Sequence, residues 1–158
     1  MGTAWHQYHF HSTWLLPAPP DAVYRVLERG EEYPSWWPQV REVRPRDELS
    51  GVARFRSLLP YDLEITAHAV RSDPAEGVLE IVMHGDLEGW ARWTLLPDGG
   101  GTRAVYEQRV EVRKPLMRAL AVPCRPLFLA NHALMMRSGR RGLRRLLLRS
   151  PGRGLEEE

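Results

Sequence analysis

Between residues 39 and 113 the chain offers strand after strand with almost nothing between them. Runs at 39–48, 52–59, 62–72, 78–84, 87–96 and 103–112 are separated only by turn chemistry. The separators are Ser50-Gly51, Pro60, Asp73-Pro74 with Gly77, Gly85-Asp86, and Asp98-Gly99-Gly100-Gly101. Parallel strands need crossovers of about a dozen residues or more, so connections this short dictate antiparallel hairpins. The last run shows which side of the sheet is covered. Ala104, Tyr106, Gln108, Val110 and Val112 fall on one face, and Arg103, Glu107, Arg109 and Glu111 on the other. One side of the sheet is wet and the other packs against something.

The flanking segments supply the cover. Residues 5–16 alternate, with Tyr8, Phe10, Trp14 and Leu16 opposite Gln7, His9, His11 and Thr13. Pro17-Ala18-Pro19-Pro20 stops that strand, and proline suits a helical first turn. Val23, Tyr24, Val26 and Leu27 then make the apolar stripe of a helix that Gly30 ends. The segment Tyr33-Pro34-Ser35-Trp36-Trp37-Pro38 predicts a second short helix or turn. Its two adjacent indoles would each bury roughly 150–250 Å². They belong to a core or to the wall of an apolar cavity, and the surrounding pattern favours the cavity.

After Lys114-Pro115 the period becomes helical. Leu116, Met117 and Leu120 begin a turn or two, and Leu127 to Leu148 reads as one long helix. Leu129, His132, Met136, Leu143, Leu146 and Leu147 form its more apolar side. Gly139 and Gly142 interrupt it, each at about 1 kcal/mol relative to alanine. They mark a bend or a close contact with the sheet. Residues 150–158 read as a disordered tail.

The predicted architecture is α+β: a helix-grip fold in which a curved, seven-stranded antiparallel sheet wraps a long C-terminal helix. Two short helices lie between strands 1 and 2. Residues 1–149 form one domain, and such a grip can leave a ligand-sized gap between helix and sheet. The single cysteine, Cys124, excludes a disulfide framework and any multi-cysteine zinc site. No signal peptide or membrane-spanning run is expected, so the reading is a cytoplasmic protein. His9 and His11 share a strand face, but neither they nor His6 have further ligands close in sequence, so no metal is expected. Nucleotide-binding loops, nucleophile elbows and metalloprotease signatures are missing as well, and no cofactor is expected.

Charge is distributed unevenly. Residues 1–112 carry 11 Arg against 17 Asp and Glu, whereas residues 113–155 carry 11 Lys and Arg and no acid. This motivates a second functional reading. In it a non-catalytic interaction protein docks its basic C-terminal helix on an anionic partner such as RNA, ribosome or phospholipid. Against specific nucleic-acid binding, the basic helix lacks interleaved aromatics for base stacking. The simpler account is a solvated helix face that complements an acidic sheet. Self-association is left open.

Several local motifs carry a resemblance. Ala18-Pro19-Pro20-Asp21-Ala22-Val23-Tyr24, Tyr33–Pro38, Leu59-Pro60-Tyr61, Gly85-Asp86-Leu87-Glu88-Gly89, Gly101-Thr102 and Asn131-His132 with Met135-Met136 occur in the expected order. Together with the element order they resemble the SRPBCC superfamily of START-like, helix-grip proteins, specifically its bacterial polyketide cyclase/dehydrase-like branch. The resemblance implies an internal cavity for a hydrophobic small molecule, polyketide-like or lipidic; binding or transport ranks ahead of catalysis, and any activity would be of the cyclase or dehydratase class. Strand parity then nominates the pocket. Phe55, Ser57, Ile65, Met83, Trp93, Tyr106 and Gln108 face inward beside Leu63, Ile81 and Ala91, Trp36 and Trp37 close one end, and Asn131, His132 and Met135 look in from the helix. His132 and Tyr106 are the best candidates for proton transfer or carbonyl polarisation. Arg54 and Arg56 fall on the opposite parity, toward solvent, and Asp86 and Glu88 belong to turn geometry.

Overall fold

A computed structural model describes residues 7–56, 62–113, 115–120 and 123–149. The strands are β1 (Gln7–Leu16), β2 (Val40–Pro45), β3 (Ser50–Arg56), β4 (Asp62–Asp73), β5 (Val78–Gly85), β6 (Leu87–Asp98) and β7 (Gly101–Val112). Helix α1 (Pro20–Glu28) and a short 3₁₀ helix (Gly30–Ser35) connect β1 to β2. Helices α2 (Pro115–Leu120) and α3 (Arg125–Arg149) follow the sheet. All seven strands form one antiparallel sheet in the order β1-β7-β6-β5-β4-β3-β2. The helix-grip architecture expected from the sequence is the one the chain adopts. The tail at 150–158 lies outside the described residues.

Consecutive hairpins build β2 to β7 as a meander, and β1 is added beside β7. The pairing register shifts between Val40 and Glu42 in β2, and between Ala69 and Arg71 in β4. Bulges of this kind bend a strand and increase its twist, which curves the sheet around the helix. Val70, the extra residue in β4, is turned outward and exposed.

Helix α3 runs along the free edge of β1. The Arg125 guanidinium donates to the Gln7 carbonyl at 3.4 Å, and Arg144 Nη1 donates to the Leu15 carbonyl at 3.2 Å. These bonds occupy acceptors that an edge strand otherwise offers to another chain. Part of the basic excess in α3 therefore seals the sheet.

The glycines of α3 serve close packing, but against the paired tryptophans rather than the sheet. A Cβ on Gly139 would sit 2.5 Å from Trp37 Cε2, and one on Gly142 would collide with the Trp36 carbonyl oxygen. The helix face also differs from the expected one near its start. Phe128, Met136, Gly139, Leu143 and Leu147 are buried, while Leu129 is exposed.

An aromatic cluster locks these layers together. Trp14 on β1 meets Trp37 at 5.7 Å and Trp93 on β6 at 4.7 Å, both edge-on. Such pairs contribute about 0.5–1.5 kcal/mol each beyond burial. The α1 stripe docks beside them through Val23, Tyr24 and Leu27. Tyr33 Oη donates to the Leu27 carbonyl at 2.5 Å, satisfying an acceptor at the C-terminal end of α1.

Thr102, 1% exposed, ties the start of β7 to the loop before α1 through Oγ1–H···O=C to Ala18 at 2.7 Å. Thr102→Val keeps the shape and leaves the Ala18 carbonyl without that donor. The expected cost is about 1–3 kcal/mol in urea unfolding. An unchanged midpoint would show that the bond carries no net stability.

Candidate functional site

The concave face of the sheet and α3 enclose a cavity of about 770 Å³. The two apolar clusters of the core meet across it. One gathers Trp14, Trp37, Trp93 and the α1 stripe; the other gathers Tyr8, Ile65, Met83, Val110 and Phe128. Phe55 and Tyr106 pack against both clusters and mark the junction. The cavity persists because small residues, Ala53 on β3, Ala67 and Ala69 on β4 and Ala91 on β6, occupy inward positions.

Ten of the twelve nominated residues line this space. Phe55, Ile65, Met83, Trp93, Tyr106 and Gln108 do so from the sheet, Trp37 from the turn before β2, and Asn131, His132 and Met135 from α3. Ser57 lies outside the described residues.

Trp36 does not line the cavity. The two indoles stack on each other at the end of the 3₁₀ helix, and Trp37 takes the cavity side of the stack. The Trp36 ring packs between Tyr33 at 4.9 Å and Trp37 at 5.5 Å and is 5% exposed, so it is core. Trp37 forms wall and anchor together: its Nε1–H donates to the Met135 carbonyl at 2.9 Å, holding the ring against α3.

Strand parity also orders the outer face as expected. Arg54 and Arg56 are exposed, and Arg54 pairs with Glu42 at 3.5 Å. Asp86 Oδ2 accepts the Glu64 amide at 2.9 Å, and the Glu88 carboxylate meets His84 Nδ1 at 2.8 Å, so both acids fix the β5–β6 turn. His9 and His11 are exposed on β1. No group of three or more metal-ligating side chains occurs among the described residues. Among them, no helix is long and apolar enough to cross a membrane.

Inside the cavity three polar side chains converge. Tyr106 Oη donates to Gln108 Oε1 at 2.7 Å, and His132 Nε2 lies 3.1 Å from the same oxygen. Two partners on one carbonyl oxygen require both to donate, so His132 carries its proton on Nε2. The imidazole stacks on Phe10 with centroids 3.5 Å apart, and Tyr106 packs on its other neighbour Trp93 at 4.8 Å. Burial pushes the His132 pKa down to about 4. Burial, helped by the nearby Tyr33, pushes the Tyr106 hydroxyl above its ordinary range. At neutral pH all three groups are uncharged. His132 is available as a weak base and not as an acid.

Among the cavity residues that sequence reading did not nominate, Tyr8, Phe10 and Phe128 come from β1 and the start of α3. Parity already placed Tyr8 and Phe10 on an apolar face. What parity lacks is that β1 pairs with β7, which brings Phe10 opposite Gln108.

A seven-stranded grip around a long helix, enclosing an apolar space with a few hydrogen-bonding groups, defines a small-molecule-binding class of protein. The chain matches the family model described as polyketide cyclase/dehydrase and lipid transport over residues 16–135, and it belongs to that family. Solved structures agree on the fold. A protein of Thermus thermophilus superposes with a TM-score of 0.76 at 21% identity, covering 92% of this chain and 100% of that one. The ZhuI aromatase/cyclase of a Streptomyces species gives 0.73 at 18% identity, covering 93% and 99%. Norcoclaurine synthase of Thalictrum flavum gives 0.66 at 12%, covering 92% and 97%. No curated protein sequence matches.

Proposed function

We propose that this protein binds a hydrophobic small molecule, polyketide-like or lipidic, in the cavity between the sheet and α3. Where it acts on that molecule, the reaction is cyclisation or dehydration. The observation that carries this reading is the apolar space of about 770 Å³, within the usual range for ligand pockets. The family description, which names cyclase, dehydrase and lipid transport, supports the ligand and reaction classes.

The chemistry available is modest. A largely apolar cavity folds a flexible chain into a reactive geometry, which lowers a barrier without a strong nucleophile. Tyr106 and Gln108 supply hydrogen bonds, and His132 accepts a proton. Binding is accordingly the primary activity, with turnover resting on shape.

Native mass spectrometry of freshly purified protein, compared with a denatured spectrum, tests the proposal. Extra mass lost on denaturation supports it and reports the ligand class. Ala67→Phe makes the test specific. Ala67 faces Met83 and Gly51 across the sheet, so the ring would project into the void. The variant should lose at least tenfold in affinity for a hydrophobic probe, about 1.4 kcal/mol. Its melting temperature should stay within about 5 °C of wild type. Undiminished probe binding would place the ligand elsewhere.

A further inference from the structure

We infer that the ligand of this cavity meets Gln108 with a neutral hydrogen-bond acceptor, such as a ketone, ester or quinone oxygen, and not with a charged group. The inference rests on the cavity-binding reading above and specifies the chemistry it selects. Gln108 is 6% exposed. Its carbonyl oxygen is occupied twice, by Tyr106 and by His132. Its amide nitrogen, which carries two N–H donors, makes no hydrogen bond among the described residues and is not one of the fully buried unpartnered atoms, so it opens onto the cavity. A ligand oxygen is the group that satisfies it.

The surroundings exclude charge at this point. His132 is neutral at neutral pH, so no cation is available beside Gln108 to hold a carboxylate or phosphate. Ionised side chains of the described lining occur elsewhere. Glu80 is bound to Arg92, and Arg71 to Asp73. Glu28, Arg29 and Glu31 belong to the junction between α1 and the 3₁₀ helix, and Asp47 and Glu48 to the β2–β3 turn. That end of the cavity is charged; the Gln108 level, opposite Ala91 and level with Phe10, is aromatic and carries no ionised side chain. An ionised ligand group is stable only at the first.

Three matched probes separate the possibilities: 2-acetylnaphthalene, 2-ethylnaphthalene and 2-naphthoate. The ketone should bind roughly fivefold more tightly than its ethyl isostere, the value of one added neutral hydrogen bond. In wild-type protein the Gln108 side-chain N–H resonances should shift with the ketone and stay unmoved with the ethyl compound and the naphthoate. Gln108→Leu and Gln108→Met should equalise ketone and ethyl affinities while still binding both. Equal affinities in wild type, or unshifted Gln108 resonances with bound ketone, overturn the inference and leave the cavity reading standing. A tighter naphthoate with a Gln108 shift overturns it too. Failure of every probe to bind would sink the cavity reading, and this inference with it.

Discussion

Gly142→Ala is expected to destabilise the protein, although alanine is the better helix former. In an isolated helix the exchange would gain about 1 kcal/mol. Here the new methyl group runs into the Trp36 carbonyl oxygen, a backbone atom that no rotamer change can move. Trp36 itself is wedged between Tyr33 and Trp37, and Trp37 is tied to α3 through Met135. Overpacking a core typically costs about 1–3 kcal/mol, with rigid obstacles at the upper end or beyond. The steric term wins, and a net loss of about 2 kcal/mol or more is expected in urea unfolding followed by tryptophan fluorescence. Gly139→Ala should act in the same direction by displacing the Trp37 ring, and it should also weaken probe binding. Ala130→Gly, on the exposed side of α3, should cost only the propensity difference of about 1 kcal/mol. A Gly142→Ala protein as stable as wild type would mean that α3 does not seat on the tryptophan pair.

The second large effect is a dependence on pH set by one buried imidazole. His132 titrates at about 4 in the folded protein against an ordinary 6.5, because burial disfavours its charged form. Between those values the unfolded chain binds a proton that the folded protein does not. Its contribution is therefore complete above pH 6.5 and is lost as pH falls toward 4. Between about pH 7 and pH 5 the expected loss is about 2 kcal/mol. His132→Gln keeps a polar partner for Gln108 and should flatten this part of the profile. Two carboxylates outside the core also titrate on the acid side. Asp47 is held low by the Leu49 amide and Glu88 by His84, so their contributions are lost lower, as pH falls through the carboxylate range. The difference between wild type and His132→Gln removes them. Parallel stability profiles for the two proteins across that range would show that His132 is not desolvated in the native state.

Both predictions rest on residues whose roles are visible only in part from the sequence. Gly139 and Gly142 stand out in a helical run because glycine is costly there, and that cost signals a close approach. The sequence does not say to what. His132 stands out as a titratable group on an apolar helix face. Its neutrality comes from burial, to which Phe10, on a strand far away along the chain, contributes by stacking on the ring. Sequence reading also paired Trp36 with Trp37 as cavity residues. Their shared hydrophobicity says both are buried, but only the geometry at the end of the 3₁₀ helix divides them between core and wall.

The sequence alone determined the sheet, its sidedness, its antiparallel order and the long helix that covers it. Those follow from period-two alternation, turn residues and the change to a helical period, which are local properties of the chain. The tertiary structure decided everything that depends on which element lies beside which. It set β1 against β7, seated the α3 glycines on the indoles, and brought Tyr106, Gln108 and His132 within hydrogen-bonding reach. Periodicity fixes which way a side chain faces. Packing fixes what it meets, and in this protein the chemistry of the cavity lies in those meetings.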